Sequence, residues 1–417
     1  MGIFDRMLSV VGLVRRSVVP SEFLIGARNG VRSAAGALVD VNAAMKSAPF
    51  KQGIRLVSST IGSLPLFLYE YSAGNDNTSK LTSDVRYRLL HSRPNRRMTS
   101  FVFRRTLQAL VMTQGNAYAE VIRAPDMSPV SLELLPAGGT KPVRVLEDGS
   151  LLYSVTRAGG RVADELHGDN VLHLSGLGFD GLQGRDEVQD ASETLGLNIA
   201  SEQFASTFYG NGATLGGILK TDQAIDKETA KAYAEQFNAN HQGSAKAHGV
   251  SVTGHGLEYK PVGVEPEKGQ MLESRKFQVL ETARQMGVQP HLLFDLERAT
   301  FSNIEQQSLE FVIYTLLPVL VMWEQELNRK LLTPAEEGKR FFGFKVDALL
   351  RGDQASRYAG YAIGRQWGFL SVNDIRRLED MNPIGPAGDQ YLVPANMGDS
   401  ASAGGKSFHG LASVGGL

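Results

Sequence analysis

Apolar residues recur along the chain in two rhythms, at three and four in some stretches and at two in others, so helices and strands should interleave. From Met45 to Tyr71, Ile54, Val57, Ile61 and Leu64 fall at helical spacing, and Leu66 to Glu70 then reads as a strand. A polar stretch, 72–79, closes this segment. Thr99 is placed to cap a helix carrying Val102, Phe103, Leu107, Leu110 and Val111, and Gly115 and Asn116 lead into a strand from Ala117 to Ile122. Further strands are predicted at Leu132–Leu135, Pro142–Leu146, Leu151–Thr156 and Asn170–Leu174. The expected product is a mixed α+β module.

The second half is dominated by longer helices. Between Glu187 and Tyr209 one stripe is formed by Val188, Ala191, Leu195 and Ile199, and another by Leu197, Ala200, Phe204 and Phe208. Two stripes predict neighbours on two sides. Short strands at Gly216–Lys220 and Val250–Val262 surround a polar helix, Asp226–Asn240, as a small insertion. A helix from Pro266 to Met286 follows, with Gly287 as its left-handed closing residue. After a loop from Val288 to Phe301, the Ser302/Glu305 pair forms a capping box for a helix running to about Leu332. That helix should bend at Pro318 and present Arg329 and Lys330 to the negative end of its dipole. A strand at Phe341–Val346 and two helices, Gln354–Trp367 and Val372–Glu379 with Ser371 as cap, complete the pattern, with no internal repeat.

A chain of 417 residues exceeds what one hydrophobic core serves, so more than one packing unit is expected. Its 42% hydrophobic and 21% charged residues are those of an ordinary globular protein. Leu309 to Trp323 comes nearest to a membrane span, but Glu310 and Pro318 interrupt it, and it reads as a buried, kinked helix. Residues 1–34 are rich in Gly, Ser and Arg, and Arg15 and Arg16 break any signal-peptide core, so they read as a flexible basic arm. Residues 397–417 read as a disordered Gly/Ser tail. With no cysteine, disulfides and thiolate metal sites are excluded, which fits assembly in a reducing cytoplasm. The 43 Lys and Arg against 44 Asp and Glu leave a net charge of −1, too balanced for a tight, static DNA binder.

Gly176, Gly178 and Gly181 form a GxGxxG run after a predicted strand and before a helix, the pattern of a dinucleotide-binding turn. A nucleotide-binding α/β enzyme built on this Gly176–Gly181 loop is therefore the alternative reading. Asp186 and Glu187 oppose it, because both would repel a pyrophosphate at that helix end, and Glu202 lies inside the helix instead of closing a following strand. His241, His248 and His255 recur every seven residues, but in a loop-rich setting without a nearby carboxylate ligand they read as surface histidines, so no metal and no cofactor is expected. The basic clusters Arg96, Arg97, Arg104 and Arg105, and Arg376 and Arg377, read as solvated helix faces. No Ser-nucleophile elbow, His-Glu-x-x-His pair or Walker loop is present, and no catalytic residue is assigned.

Read in order, several short stretches resemble the portal proteins of tailed bacteriophages: Ile61 to Tyr69, Gly115 to Tyr118, Val171 to Gly176 with Asp180 to Gly184, and Phe208 to Ala213. Gly287 to Leu293, Ser302 to Gln307 and Leu327 to Leu332 continue the resemblance, which spans about Ile54 to Pro394. It implies a portal-type α+β fold with a wing at 35–183, stem helices at 184–212 and 266–287, and a clip at 213–265. A tunnel loop would follow at 288–302, a return to the wing at 303–350 and a helical crown at 351–396.

The resemblance also implies a structural, non-enzymatic role. Copies would form a homo-oligomeric ring, usually of twelve subunits in this family, at one vertex of the virion capsid, assembled in the host bacterial cytoplasm. Double-stranded DNA would pass through the ring during packaging and ejection. The terminase large subunit and the head–tail adaptor would dock on it, and the major capsid protein and a scaffold would surround it, with no membrane partner. Gln289, His291, Glu297, Arg298 and Thr300 become the candidates for facing DNA. Val188, Leu195, Ile199, Phe204 and Phe208 become those for stem and subunit packing.

Overall fold

The computed structural model describes residues 30–71, 78–157, 163–210, 217–222, 224–241, 256–261, 268–295, 307–346, 349, 354–379 and 381–392. The chain divides into two compact units, Met1–Lys345 and Val346–Leu417.

The first unit opens with a two-stranded ribbon, β1 (Val31–Arg32) and β2 (Leu38–Val39), and a short helix α1 (Val41–Ala44) capped by the Asp40 carboxylate. Helix α2 (Ala48–Ser63) buries Phe50, Ile54, Val57 and Ile61 on one face. Strand β3 (Leu66–Tyr71) follows, then β4 (Thr78–Lys80), α3 (Val85–His91) and α4 (Ser100–Gln114), which the Thr99 hydroxyl caps by accepting the Val102 N–H. Gly115, at φ +72°, turns α4 into β5 (Asn116–Arg123). Strands β6 (Pro129–Leu135), β7 (Thr140–Val145), β8 (Leu151–Val155), β9 (Asp164–His167) and β10 (Val171–Ser175) complete this half. They form two antiparallel sheets, ordered β10-β5-β6 and β7-β8-β9.

After β10 the long helix expected over 187–209 is present with one correction. It is divided at Ala191 into α5 (Glu187–Asp190) and α6 (Ser192–Gly210). Strands β11 (Gly217–Lys220) and β12 (Glu258–Pro261) pair antiparallel and flank α7 (Lys227–His241) in sequence. Helix α8 (Lys268–Met286) ends at Gly287, φ +62°, where Gly287 and Val288 donate back to Arg284 and Ala283.

The helix interrupted by Pro318 takes a specific form: a π-helical turn, Phe311–Leu316, runs directly into α9 (Leu317–Leu331). Proline has no N–H to donate and its ring crowds the carbonyl four residues back, so widening the preceding turn removes the clash without ending the helix. The Ser302/Glu305 capping box lies outside the described residues. Helix α9 contacts β10 and β13 (Arg340–Phe344), and β13 pairs with β3 in a sheet ordered β13-β3-β4.

The core of this unit is largely apolar. Phe103, Leu107, Leu64, Leu66, Leu68, Trp323 and Phe342 are buried, each contributing about 1.5 to 3 kcal/mol relative to exposure. A second cluster joins Val39, Ala44, Phe50 and Ile54 to Val188, Ala191 and Leu195, which ties α5 and α6 to the start of the unit.

The second unit contains α10 (Gln354–Gln366) and α11 (Val372–Leu378). Ser371 caps α11 in a full capping box with Asp374. Asn373, buried, donates to Gly385 O and to Asp389 at 2.8 Å and accepts from Ile384 N at 2.9 Å, which fixes the segment after the helix.

Candidate functional site

The glycine run that suggested a nucleotide site is filled by its own backbone. The Gly184 N–H donates to Asn116 Oδ1 at 2.9 Å, Asn116 Nδ2 donates to Gly184 O at 2.7 Å, and Gly176 N donates to Gly115 O at 2.7 Å. A Cβ on Gly178 would sit 1.9 Å from Gln183 O, and one on Gly184 only 2.1 Å from Gly115 O. The glycines therefore serve the loop's closure on itself. Asp180 accepts from Leu182 N and Gln183 N, and Asp186 from Gln189 N, so side-chain carboxylates occupy the amides that an anion would require. What the loop displays is apolar: Leu177 is 72% and Phe179 85% exposed, with the Arg185 guanidinium 5.5 Å from the Phe179 ring centre.

Beneath the loop lies a buried polar hub. Because Asn116 Nδ2 donates to Gly184 O, its Oδ1 must be the acceptor for His173 Nε2 at 3.0 Å. His173 Nδ1 then accepts from the Tyr153 hydroxyl at 3.1 Å, which makes the imidazole the neutral Nε2–H tautomer. Burial, helped by the positive charges of Arg329 and Lys330, lowers the His173 pKa to about 3. Burial also raises Tyr153 to about 12, so neither group exchanges protons near neutrality. The His173 backbone N–H donates to Glu326 on α9 at 3.0 Å, Lys330 Nζ donates to Gly168 O at 2.6 Å, and Arg123 donates to Lys330 O at 2.7 Å. The hub locks the β10-β5-β6 sheet to α9.

The basic clusters have equally specific structural tasks. Arg104 is buried and donates to Leu64 O at 2.6 Å and Gly62 O at 2.8 Å, completing the C-terminal end of α2, and burial lowers its pKa to about 10. This corrects its reading as part of a solvated face. Arg97 pairs with Glu133, Arg105 lies over Phe101, and Arg377 pairs with Asp374. Arg86 binds both Asp84 and Glu336 at 2.7 Å, and Arg340 joins Glu336 to Glu70.

An open cleft of about 260 Å³ lies where α2, α4, α8 and the π-helical turn meet. Phe50, Val57, Val111, Met112, Met286 and Val319 make it largely apolar, and Glu187 and Tyr314 are its titratable groups. Burial, followed by the charges of Asp190 and Asp186, raises the Glu187 pKa. The Thr315 hydroxyl donates to Gly287 O, joining the π-helical turn to the end of α8.

From Gly287 the chain enters a 3₁₀ turn, Pro290–Leu293, and Gln289 and His291 are half-buried there. Burial lowers the His291 pKa. The turn ends at Phe294, 76% exposed and at φ +66°, a left-handed conformation that is costly for an aromatic residue. Its strain and exposure leave no trace in a pattern of apolar spacing. Glu297, Arg298 and Thr300 lie outside the described residues.

Of the residues proposed for stem and subunit packing, Val188 and Leu195 are buried in the chain's own core, with Ile199 packed partly against them. Phe204 is half exposed, and the side chain of Phe208 lies outside the described set. Within the histidine series, the loop positions His248 and His255 lie outside it too. Among the described residues no group of three or more His, Asp or Glu side chains could hold a metal ion, and no helix is long and apolar enough to cross a membrane.

Comparison with known proteins decides the family. Residues 49–380 match the family described as phage portal protein. The chain belongs to that family. It is 33% identical over 358 residues to the portal protein of Enterobacteria phage HK97, covering 83% of this chain and 82% of that relative. In structure it is similar to an HK97-family phage portal protein from Corynebacterium diphtheriae, with TM-score 0.56, 17% identity, and coverage of 76% of this chain and 98% of that one. It also resembles a chain in the neck of a native gene transfer agent particle computed with C12 symmetry, at TM-score 0.55 and 20% identity, over 92% of this chain and 100% of that one. The portal-type fold is thus established, and the nucleotide-enzyme alternative finds no support in the loop on which it depended.

Proposed function

We propose that copies of this portal protein close into a ring of twelve at one vertex of the virion capsid, and that double-stranded DNA passes through the ring in packaging and ejection. The observation that carries this reading is the family match over residues 49–380, which runs through both units of the chain. The C12 symmetry belongs to the related neck particle and supports the number twelve by analogy.

In this reading residues 35–183 and 303–350 form the wing, 184–212 and 266–287 the stem, 213–265 the clip and 351–396 the crown. The clip receives the terminase large subunit and later the head–tail adaptor, and the wing faces the major capsid protein and scaffold. Assembly takes place in the host cytoplasm. The chain is a conduit with no chemistry of its own. Its near-neutral charge suits a channel, because a densely cationic lining would hold DNA by releasing counterions.

The loop at 288–302 is the segment assigned to the channel, with Gln289, His291, Glu297, Arg298 and Thr300 as the candidates for transient contact. Phe294, exposed at its foot, is added to them. Deleting residues 290–300 should leave rings intact in electron micrographs while reducing DNA packaging or retention. Loss of ring assembly on deletion would contradict the loop assignment.

A further inference from the structure

Among its described residues the second unit shows no apolar core of its own. The buried positions among them are Gly364, Ser371, Asn373 and Gly388, while Ile363, Trp367, Phe369, Leu378 and Ile384 are exposed. Its shape is instead held by polar contacts. The Ser371/Asp374 capping box and the three hydrogen bonds of Asn373 order one side, and Arg357 and Tyr361 both engage Glu379 across the two helices. Such contacts fix geometry but contribute little net free energy, since each replaces hydrogen bonds to water.

A unit whose described residues bury no large apolar side chain is short of the core that otherwise has to be replaced by disulfides, metals or oligomerisation. The chain has no cysteine, and no described cluster could hold a metal ion, which leaves association. The exposed residues Ala359, Ala362 and Ile363 of α10, continued by Trp367 directly after it, follow three-and-four spacing, the pattern of a helix that buries one stripe. From 346 to 392 there are five arginines and six carboxylates, and Arg357 and Arg377 are already paired within the unit. An apolar stripe with nearly balanced charge suits another apolar helix better than a phosphate backbone or an anionic lipid surface.

We infer that the stripe of α10, with Trp367 at its end, is covered by the same unit of neighbouring copies, so that the second unit acquires its hydrophobic core only in the ring. The inference rests on the ring reading above and names the surface that would close it. In a head-to-tail ring every copy meets its neighbours through the same two surfaces, so the stripe of one copy would pack against a different face of the next copy's second unit all the way round.

The chain carries its own reporter. Of its two tryptophans, Trp323 is fully buried in the first unit and Trp367 is 52% exposed. Acrylamide quenching of the full-length chain, with ring and monomer fractions separated by size, therefore reads Trp367 over a constant background. Quenching should fall severalfold, with a blue shift in emission, from monomer to ring, and Trp367→Phe should abolish the difference. As a second variant, Ile363→Asp should shift material from ring to monomer without changing the far-ultraviolet circular dichroism of that monomer. Rings in which Trp367 stays as quenchable as in the monomer would overturn this inference while leaving the ring reading intact. A monomer in which Trp367 is already protected would overturn it in favour of cover by the chain itself. A chain that never leaves the monomer fraction would contradict both readings.

Discussion

His173 Nε2 donates to Asn116 Oδ1 at 3.0 Å, and the same oxygen accepts the Gly184 N–H at 2.9 Å, so one amide joins a buried imidazole to the exposed loop above it. The hub requires a neutral ring. Its pKa of about 3 in the fold, against an ordinary 6.5, means that the unfolded chain binds the proton more tightly. The hub's contribution is thus complete above about pH 6.5 and is lost as pH falls from there towards 3, by about 1.4 kcal/mol per unit. Urea unfolding at pH 7 and pH 5 should show this slope, and His173→Gln should be less stable at pH 7 but less sensitive to acid. Equal slopes for the two proteins would remove His173 as the titrating group.

The glycine loop separates two effects of adding one methyl group. At Gly184 a Cβ meets the Gly115 carbonyl at 2.1 Å, so Gly184→Ala should cost about 3 kcal/mol by forcing β5 and the loop apart. At Gly181, φ +71° with open space around it, alanine should cost only about 1 kcal/mol of backbone strain. Thermal melts of both variants test the difference, and calorimetric titration with a nucleotide should show no saturable binding by the parent chain.

Much of this fold could be read from spacing alone. The stripe at Ile54, Val57 and Ile61, the strand from Leu66 and the caps at Thr99 and Ser371 are local features, and they stand in the structure where apolar rhythm and capping chemistry put them. The short pieces were not legible. Helix α3 has too few turns to establish a period, and β4 and β9 are polar edge strands whose reason for existing is the neighbour they pair with. The polar hub was invisible for the same reason, since Asn116, Tyr153, His173 and Glu326 come together from four separate elements.

Arg104 illustrates how a basic cluster misleads. It completes a helix end inside the core, whereas Arg97, in the same sequence cluster, forms a surface pair with Glu133. Arg104→Ala would strand buried carbonyls and should cost about 3 kcal/mol, while Arg97→Ala should cost less than about 1 kcal/mol. Chemical denaturation measures both. Similar costs for the two would contradict the distinction.

In the second unit, Asn373 stands at the centre of three hydrogen bonds that pin the chain after α11. Asn373→Ala removes all three hydrogen bonds and should free residues 381–392 at a cost of about 2 kcal/mol. Limited proteolysis should then cut within that segment, where the parent chain resists.

Negative-stain electron microscopy of the purified full-length chain is the most direct test of the portal assignment as a working assembly. Closed rings with a stain-filled central hole, twelve subunits in class averages, are the predicted result. A monodisperse field of small particles at every concentration tried would contradict it.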